Sequence, residues 1–369
     1  MITDVIILAG GFGERLWPAS SPSFPKQFMA LNGGSSFLQE SIKRSLALNI
    51  PGKIVIVTRK DIEEECVRQA LELAAREDDA LYEKIMNGTV VLSEPCAKHT
   101  AAAIMAGTCF IRKTVDNIKH TILVLTSDHV ISPVENFAAD CRKAAEAAEK
   151  GAFVCFTIPP TEPSTGYGYI KTGSSFDGLD STFKIENFKE KPDYETARKY
   201  LESGSYFWNS GMFAFCDDFF MNEMKALTPE VFEAFIPMTE GNLPKLKKYR
   251  GISIIDTWPE MEKTYSSVPS IAVDKAVAEK TSNAAAVKTT FKWTDVGSWD
   301  VFSQICTSPV NAANADIEGS NNFIYTDQPV ALCGVSDLVV VARNGKVLVM
   351  KKGCSALVRE ASQSLKNKD

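Results

Sequence analysis

Val5-Ile6-Ile7-Leu8 runs into Ala9-Gly10-Gly11-Phe12-Gly13. Four apolar residues emptying into a glycine-rich turn read as a buried strand that delivers a loop. Further apolar runs rich in β-branched residues follow at 53–58, 89–92, 121–126 and 153–158, with helically spaced segments between them. That alternation predicts an α/β fold with a mainly parallel sheet and helices on both faces. Phe37, Leu38, Ser41, Ile42 and Ser45 mark one helix face, and Phe137, Cys141, Ala144, Ala145 and Ala148 another. The stretch 100–111 is apolar around most of its circumference, which predicts a buried helix.

From about Gly166 the strands shorten and the connections become aromatic and proline-punctuated, as at 165–171, 183–188 and 211–215, which suggests an inserted substrate-facing subdomain. Asp193 is placed to cap a helix with Tyr194, Ala197, Tyr200 and Leu201 inward, and Gly204 suits its end. Asn344-Gly345 between two hydrophobic runs signals a type I′ hairpin. It belongs to a small all-β module, which divides the chain into 1–307 and 308–369; the last six or so residues read as a frayed polar tail.

Composition narrows the function. The 369 residues are 45% hydrophobic and carry 40 basic against 46 acidic side chains, for a net charge of -6. No cationic field for nucleic acid or anionic lipid follows from that balance. The longest uncharged stretch, 100–111, falls short of the roughly 20 residues that span a bilayer. No secretory signal precedes Asp4, so a cytoplasmic chain beginning at Met1 is expected. Nine scattered cysteines, never spaced C-x-x-C, predict reduced core residues rather than disulfides or a zinc knuckle. Only three histidines occur, His99, His120 and His129, too few for a histidine-rich metal centre.

The glycine loop lacks the third glycine of a dinucleotide fingerprint, because Leu16 stands there, and it lacks the Gly-Lys-Ser/Thr of a Walker loop. A hydride-transferring enzyme is disfavoured accordingly. Backbone N–H groups after a strand still face an anion, and Arg15 and Lys26 bring two cations to the same neighbourhood, a combination suited to a triphosphate. Taken alone, a purely structural turn explains the loop about as well. Ser127-Asp128-His129 puts a carboxylate at the C-terminal end of a strand, where open α/β sheets bind ligands. Asp128 is thus a Mg²⁺ candidate, with Asp295 in Trp293-Thr294-Asp295-Val296-Gly297 the second; a cap or turn role accounts for either residue at least as well without further context. Glu190-Lys191 can offer a sugar-hydroxyl acceptor and a phosphate-binding cation, or be a surface ion pair. Trp208-Asn209 sets an apolar wall beside an amide, matching the two-faced character of a sugar ring.

The segments 8–18, 25–28, 127–129, 165–170, 190–192, 208–211 and 293–299 occur in one order and together resemble the bacterial mannose-1-phosphate guanylyltransferases. The resemblance implies a Rossmann-like mixed sheet followed by a short left-handed β-helical end. It implies a Mg²⁺-dependent enzyme that converts GTP and mannose 1-phosphate to GDP-mannose and pyrophosphate, with a homodimer possible. Arg15 and Lys26 would be catalytic, and Asp128 and Asp295 would hold the metal. Leu8, Gly10, Gly11, Gly13, Glu94, Thr100 and Ser127 would bind the nucleotide, and Gly168, Glu190, Lys191 and Asn209 the sugar phosphate. Lys98-His99 stands where the family usually has Arg-Asn, Thr126 where it has proline, and Ser164 where it has an acidic residue. Another nucleotide or hexose, or a catalytically silent sugar-nucleotide-binding relative, therefore stay as alternatives.

Overall fold

The computed structural model describes the chain except residues 12, 32–33, 116–118, 307–312 and 367–369. The expected domain boundary at 307/308 lies outside the described residues. By compactness the chain divides into two units, one of Met1–Gly10, Ser41–Thr126 and Ile131–Trp293, the other of Gly11–Glu40, Ser127–Val130 and Thr294–Asp369.

In chain order the strands are β1 (Asp4–Leu8), β2 (Ile54–Arg59), β3 (Thr89–Glu94), β4 (Thr121–Thr126), β5 (His129–Ser132), β6 (Phe153–Ile158), β7 (Tyr169–Ser175), β8 (Thr182–Lys189), β9 (Tyr206–Cys216), β10 (Lys245–Tyr249), β11 (Ile252–Thr257), β12 (Ala284–Lys288), β13 (Lys292–Asp295), β14 (Asn314–Ile317), β15 (Phe323–Thr326), β16 (Val330–Cys333), β17 (Leu338–Arg343) and β18 (Lys346–Lys351). The helices are α1 (Phe37–Leu46), α2 (Glu63–Ala74), α3 (Asp79–Gly88), α4 (His99–Thr114), α5 (Val134–Glu149), α6 (Tyr194–Ser203), α7 (Asp217–Leu227), α8 (Pro229–Glu240), α9 (Pro259–Ser267), α10 (Trp299–Ile305) and α11 (Val358–Lys366).

The first unit holds an 11-stranded sheet ordered β10-β11-β3-β2-β1-β4-β9-β6-β12-β8-β7. Its N-terminal half, β3-β2-β1-β4, is parallel as the apolar runs predict. Val5, Ile6 and Ile7 are each fully buried, so both sheet faces are covered, the condition under which a parallel strand reads as a continuous apolar run. The predicted faces of α1 and α5 are buried throughout, as is α4 from Ala101 to Ile111. Strands β7 to β12 join this same sheet rather than form a subdomain. The expected strand at 165–171 starts only at Tyr169, and the one at 211–215 is the longer β9, which runs antiparallel between β4 and β6.

Asp193 caps α6 by accepting from the Thr196 N–H, and Gly204 ends it at φ 65°. Its inward face is narrower than expected: Ala197 is buried, but Tyr194 is 57% exposed, because it occupies the first helical position beyond the packed stripe.

The second unit has its own core, built from Leu16, Met29, Phe37, Trp299, Phe302, Tyr325, Val339 and Val341. Strand β14 pairs in parallel with β16, and β15 with β17, each residue sitting opposite the one 16 positions later (Asn314↔Val330, Phe323↔Val339). Polar side chains follow the same step, since Ser320 meets Ser336 and the Asn321 amide donates to Asp337. A constant offset between successive parallel strands is the register of a β-helical coil. The hairpin β17–β18 turns at Asn344 (φ 55°) and Gly345 (φ 68°), the two positive values a type I′ turn needs. The module is not all-β, for it closes with α11, which takes in residues 364–366 of the expected polar tail; the rest of that tail lies outside the described residues. Six cysteines are buried as expected, but Cys96 and Cys333 are exposed and Cys354 is half-buried. Among the described residues no helix is long and apolar enough to cross a membrane.

Candidate active site

Pro25, extended at ψ 169°, sets Lys26 at the start of a single 3-10 turn (Lys26–Phe28) in the second unit. The lysine side chain is 4% exposed, and its Nζ lies 3.1 Å from Asp128 Oδ2 and 3.1 Å from Asp295 Oδ1. Beneath it the Phe37 ring sits 5.3 Å away, an apolar support with a favourable cation–π component. Gly13 has φ 60°, and a Cβ there would fall 2.5 Å from the Lys26 backbone nitrogen. Only glycine allows the loop to lie this close to the segment that carries the lysine.

Arg15 reaches Asp295 Oδ2 at 3.7 Å and keeps a side chain 64% exposed. A Cβ on Gly297 would come within 2.9 Å of Arg15 Nη1, so this glycine leaves room for the guanidinium. Burial works to raise the Asp128 carboxyl, but the charges of Lys26, His129 and Arg15 outweigh it and hold the group down at about 2. His129 Nε2 lies 3.9 Å from Asp128 Oδ1. Arg15, Lys26, Asp128 and Asp295 are therefore brought together, although 280 residues separate the first from the last. Ser127, buried beside them in sequence, and Gly11, where an added Cβ would meet nothing within 4 Å, belong to the same unit.

No group of three or more His, Cys, Asp or Glu side chains that could hold a metal occurs among the described residues. Two carboxylates converging on one cation is nevertheless the sparse ligation that Mg²⁺ takes when phosphates and water complete its shell. Asp128 and Asp295 fit that role.

The other predicted residues lie in the first unit, in two groups. At the C-terminal edge of the parallel strands, Arg59 and Glu94 are register partners, and Gly10 lies beside both: an added Cβ would sit 3.4 Å from Glu94 Oε2 and 3.7 Å from Arg59 Cγ. Leu8 is half-buried against the core below. The fully buried Tyr265 donates its hydroxyl to Glu94 Oε1 at 2.9 Å. Burial pushes the Glu94 carboxyl up to about 7 against that hydrogen bond. Thr100 does not turn its hydroxyl to this group; Oγ1 accepts from the Val273 N–H at 2.9 Å. Lys98 likewise donates to the Val268 carbonyl, and His99 adopts φ 62°, a conformation that suits the asparagine usual in the family better.

The second group is polar and tight. Asn209, on β9, donates its backbone N–H to the Gly168 carbonyl, and a Cβ on Gly168 would lie 2.7 Å from Glu190 Oε2 and 3.4 Å from Asn209 Cβ. Gly168 thus lets the carboxylate and the amide approach each other. Lys191, at φ 44°, pairs with Glu190 Oε1 at 3.0 Å. Trp208 is 6% exposed and packs on Tyr167, whose ring is also 5.5 Å from that of Trp293.

Sequence reasoning missed Asp274, which accepts from the Asn209 amide at 3.0 Å, and Glu279, which accepts from the Glu190 N–H. Burial first, then Glu190, raises the Asp274 carboxyl to about 7. The one available signal was an acid beside a lysine in a turn flanked by apolar residues, Val273-Asp274-Lys275-Ala276-Val277. Arg59 and Tyr265 had no signal at all, since neither stands in a motif.

Residues 4–308 match the nucleotidyl transferase family model, and residues 313–365 the MannoseP isomerase/GMP-like beta-helix domain. The chain is 35% identical over 377 residues to the mannose-1-phosphate guanylyltransferase of Salmonella montevideo, covering 99% of this chain and 74% of that one. It is 32% identical to the enzyme of that name from Escherichia coli K12, covering 98% and 73%. A crystal structure described as mannose-1-phosphate geranyltransferase from Thermus thermophilus superposes with a TM-score of 0.80 at 29% identity, covering 99% of this chain and 100% of that one. A mannose-6-phosphate isomerase from Helicobacter pylori, 22% identical with a TM-score of 0.63 over 80% of this chain and 100% of its own, shares the fold.

Proposed function

The chain belongs to the nucleotidyl transferase family and, within it, to the bacterial mannose-1-phosphate guanylyltransferases, and from that membership we infer that it joins GTP and mannose 1-phosphate into GDP-mannose, releasing pyrophosphate. The observation that carries the reading is the buried Lys26 ammonium held between Asp128 and Asp295.

A phosphate oxygen of the sugar phosphate attacks the α-phosphorus of GTP, and the bond from that phosphorus to the departing pyrophosphate breaks. With a second phosphate pKa near 6, the nucleophile is largely a dianion at neutral pH and needs no protein base. The chemistry left to the protein is to position two anions and offset their repulsion. Lys26 and Arg15 suit the triphosphate and the leaving pyrophosphate, and Lys191 the sugar phosphate. Asp128 and Asp295 would hold Mg²⁺, which when bound supplies positive charge to the phosphate oxygens. Asp128 is ready for this role because its carboxyl, held at about 2, is ionised throughout the physiological range. Gly10 and Glu94 serve the nucleotide side, and Gly168, Glu190 and Asn209 the hexose. In this proposal 1–307 forms the transferase domain and 308–369 the β-rich end.

The second reading, a different nucleotide, draws on Lys98 and His99, since Lys98 is engaged with the Val268 carbonyl where the family has arginine. A matrix of GTP, ATP and UTP against mannose 1-phosphate and glucose 1-phosphate, with Mg²⁺ and pyrophosphate as the readout, separates the two. GTP with mannose 1-phosphate is expected to give the highest kcat/KM. A higher value for another pair moves the assignment to that pair, and no pyrophosphate from any pair overturns the enzyme reading.

A further inference from the structure

We propose that Asp274 is a positioning residue for the sugar substrate, fixing the Asn209 amide in the orientation in which it can serve two neighbouring hydroxyls. The inference rests on the sugar-binding role given to Asn209 in the proposed function.

The Asn209 side chain is tied at both ends. Its Oδ1 accepts from the Gly211 N–H at 3.2 Å, and its Nδ2 donates to Asp274 Oδ1 at 3.0 Å. A backbone N–H can only donate, so it selects the amide oxygen, and the Asp274 oxygen selects the amide nitrogen. A primary amide has two N–H donors and an oxygen with two lone pairs. With one of each committed, one donor and one acceptor remain. That pair complements adjacent hydroxyls of a hexose, one accepting and the other donating. Without Asp274 the amide nitrogen loses its anchor.

Folding alone does not account for an acid here. Asp274 begins a short π-helical turn, Asp274–Ala278, whose Ala276, Val277 and Ala278 are buried. Such turns concentrate at functional sites. The charged groups acting on Asp274 are Glu190, Lys191 and Glu279, and Lys191 is already paired with Glu190. Its neighbourhood is thus unfavourable to another carboxylate, and an uncharged acceptor would suit the fold better.

The test uses the full chain with Asp274→Ala and Asp274→Asn. Calorimetric binding of mannose 1-phosphate is measured beside pyrophosphate release. Asp274→Ala should weaken mannose 1-phosphate binding, and raise its KM, by about ten- to a hundredfold, the scale of a hydrogen bond to an ionisable group. The KM for GTP should stay within about twofold of wild type, as expected of two binding contacts that do not share a partner. Asp274→Asn should restore most of the binding, because its carbonyl can accept the same proton. Should Asp274→Ala fail to fold, Asp274→Leu, branched at the same carbon and without an acceptor, replaces it. Unchanged affinity in the variant without an acceptor, equal weakening of both substrates, or an Asn variant as weak as the Ala variant each overturns the proposal. A wild-type chain that binds mannose 1-phosphate through Asp274 but releases no pyrophosphate overturns the enzyme reading and leaves Asp274 standing. A wild-type chain that does not bind mannose 1-phosphate overturns this one.

Discussion

Asp128 and Asp274 are both partly withdrawn from solvent, and in both burial works to raise the carboxyl, yet the outcomes are opposite. Asp128 has an ammonium 3.1 Å away and is held at about 2. Asp274 has Glu190 and Glu279 about it, with the nearby Lys191 paired to Glu190, and rises to about 7. A cation at hydrogen-bonding distance therefore decides the sign. The two charge states suit different ligands. Ionised carboxylates around a lysine can exchange partners with phosphates and a divalent ion, whereas acids poised near neutrality suit uncharged hydroxyls.

The largest expected effect comes from making the first region resemble the second. Lys26→Ala removes the cation while leaving Asp128 and Asp295 in place, so the Asp128 carboxyl should rise. Turnover, read as pyrophosphate release with the fold checked by circular dichroism, should fall on the order of 10² to 10³, or about 3 to 4 kcal/mol. Wild-type turnover in this variant would show that the Lys26 charge is not needed for the transfer.

A smaller effect sharpens it through stability. Asp274 and Glu94 both have folded values of about 7 against usual values of 3.8 and 4.5. Each is therefore protonated in the folded chain over a range in which it is ionised in the unfolded chain. Stability from these groups is full below about pH 4, declines as pH rises toward 7 and is level above that. Asp128 acts the other way, contributing above about pH 4 and losing its contribution as pH falls toward 2. The melting temperature of Asp274→Asn with Glu94→Gln should fall less than that of wild type between pH 4 and 8. The difference corresponds to roughly 1 to 3 kcal/mol per site, after allowing for the partial exposure of Asp274. The smallest effect is in Asp128→Asn, which should flatten only the acid side. Parallel melting curves for all three would mean that folding shifts none of these carboxyls, and the contrast between Asp128 and Asp274 would fall.

The same contrast explains what the sequence makes legible. Strands buried on both faces, such as β2 with Ile54, Val55, Ile56 and Val57, announce themselves as unbroken apolar runs. The Asn344-Gly345 hairpin is legible because its dihedral demand is nearly unique to those residue types. Strand β9 is only half legible, since Asn209, Ser210 and Gly211 interrupt its apolar pattern, Gly211 at φ 74°. The second unit is hidden, because Gly11–Glu40 and Ser127–Val130 fold with a segment that begins at Thr294. Lys26 stands out through the proline that presents it and the glycine loop before it. Asp274 does not, for an acid in a short turn outside any motif gains meaning only when the fold brings Asn209 to it.

In the proposed nucleotidyl transfer, Asp128 and Asp295, gathered by Lys26, would form the divalent-ion site. The direct measurement is pyrophosphate release across a Mg²⁺ titration for wild type, Asp128→Asn and Asp295→Asn. Each variant should need at least about tenfold more Mg²⁺ for half-maximal turnover, in line with the 10- to 100-fold costs of disturbing a metal site. Titration midpoints unchanged from wild type in both variants would exclude Asp128 and Asp295 as the metal ligands.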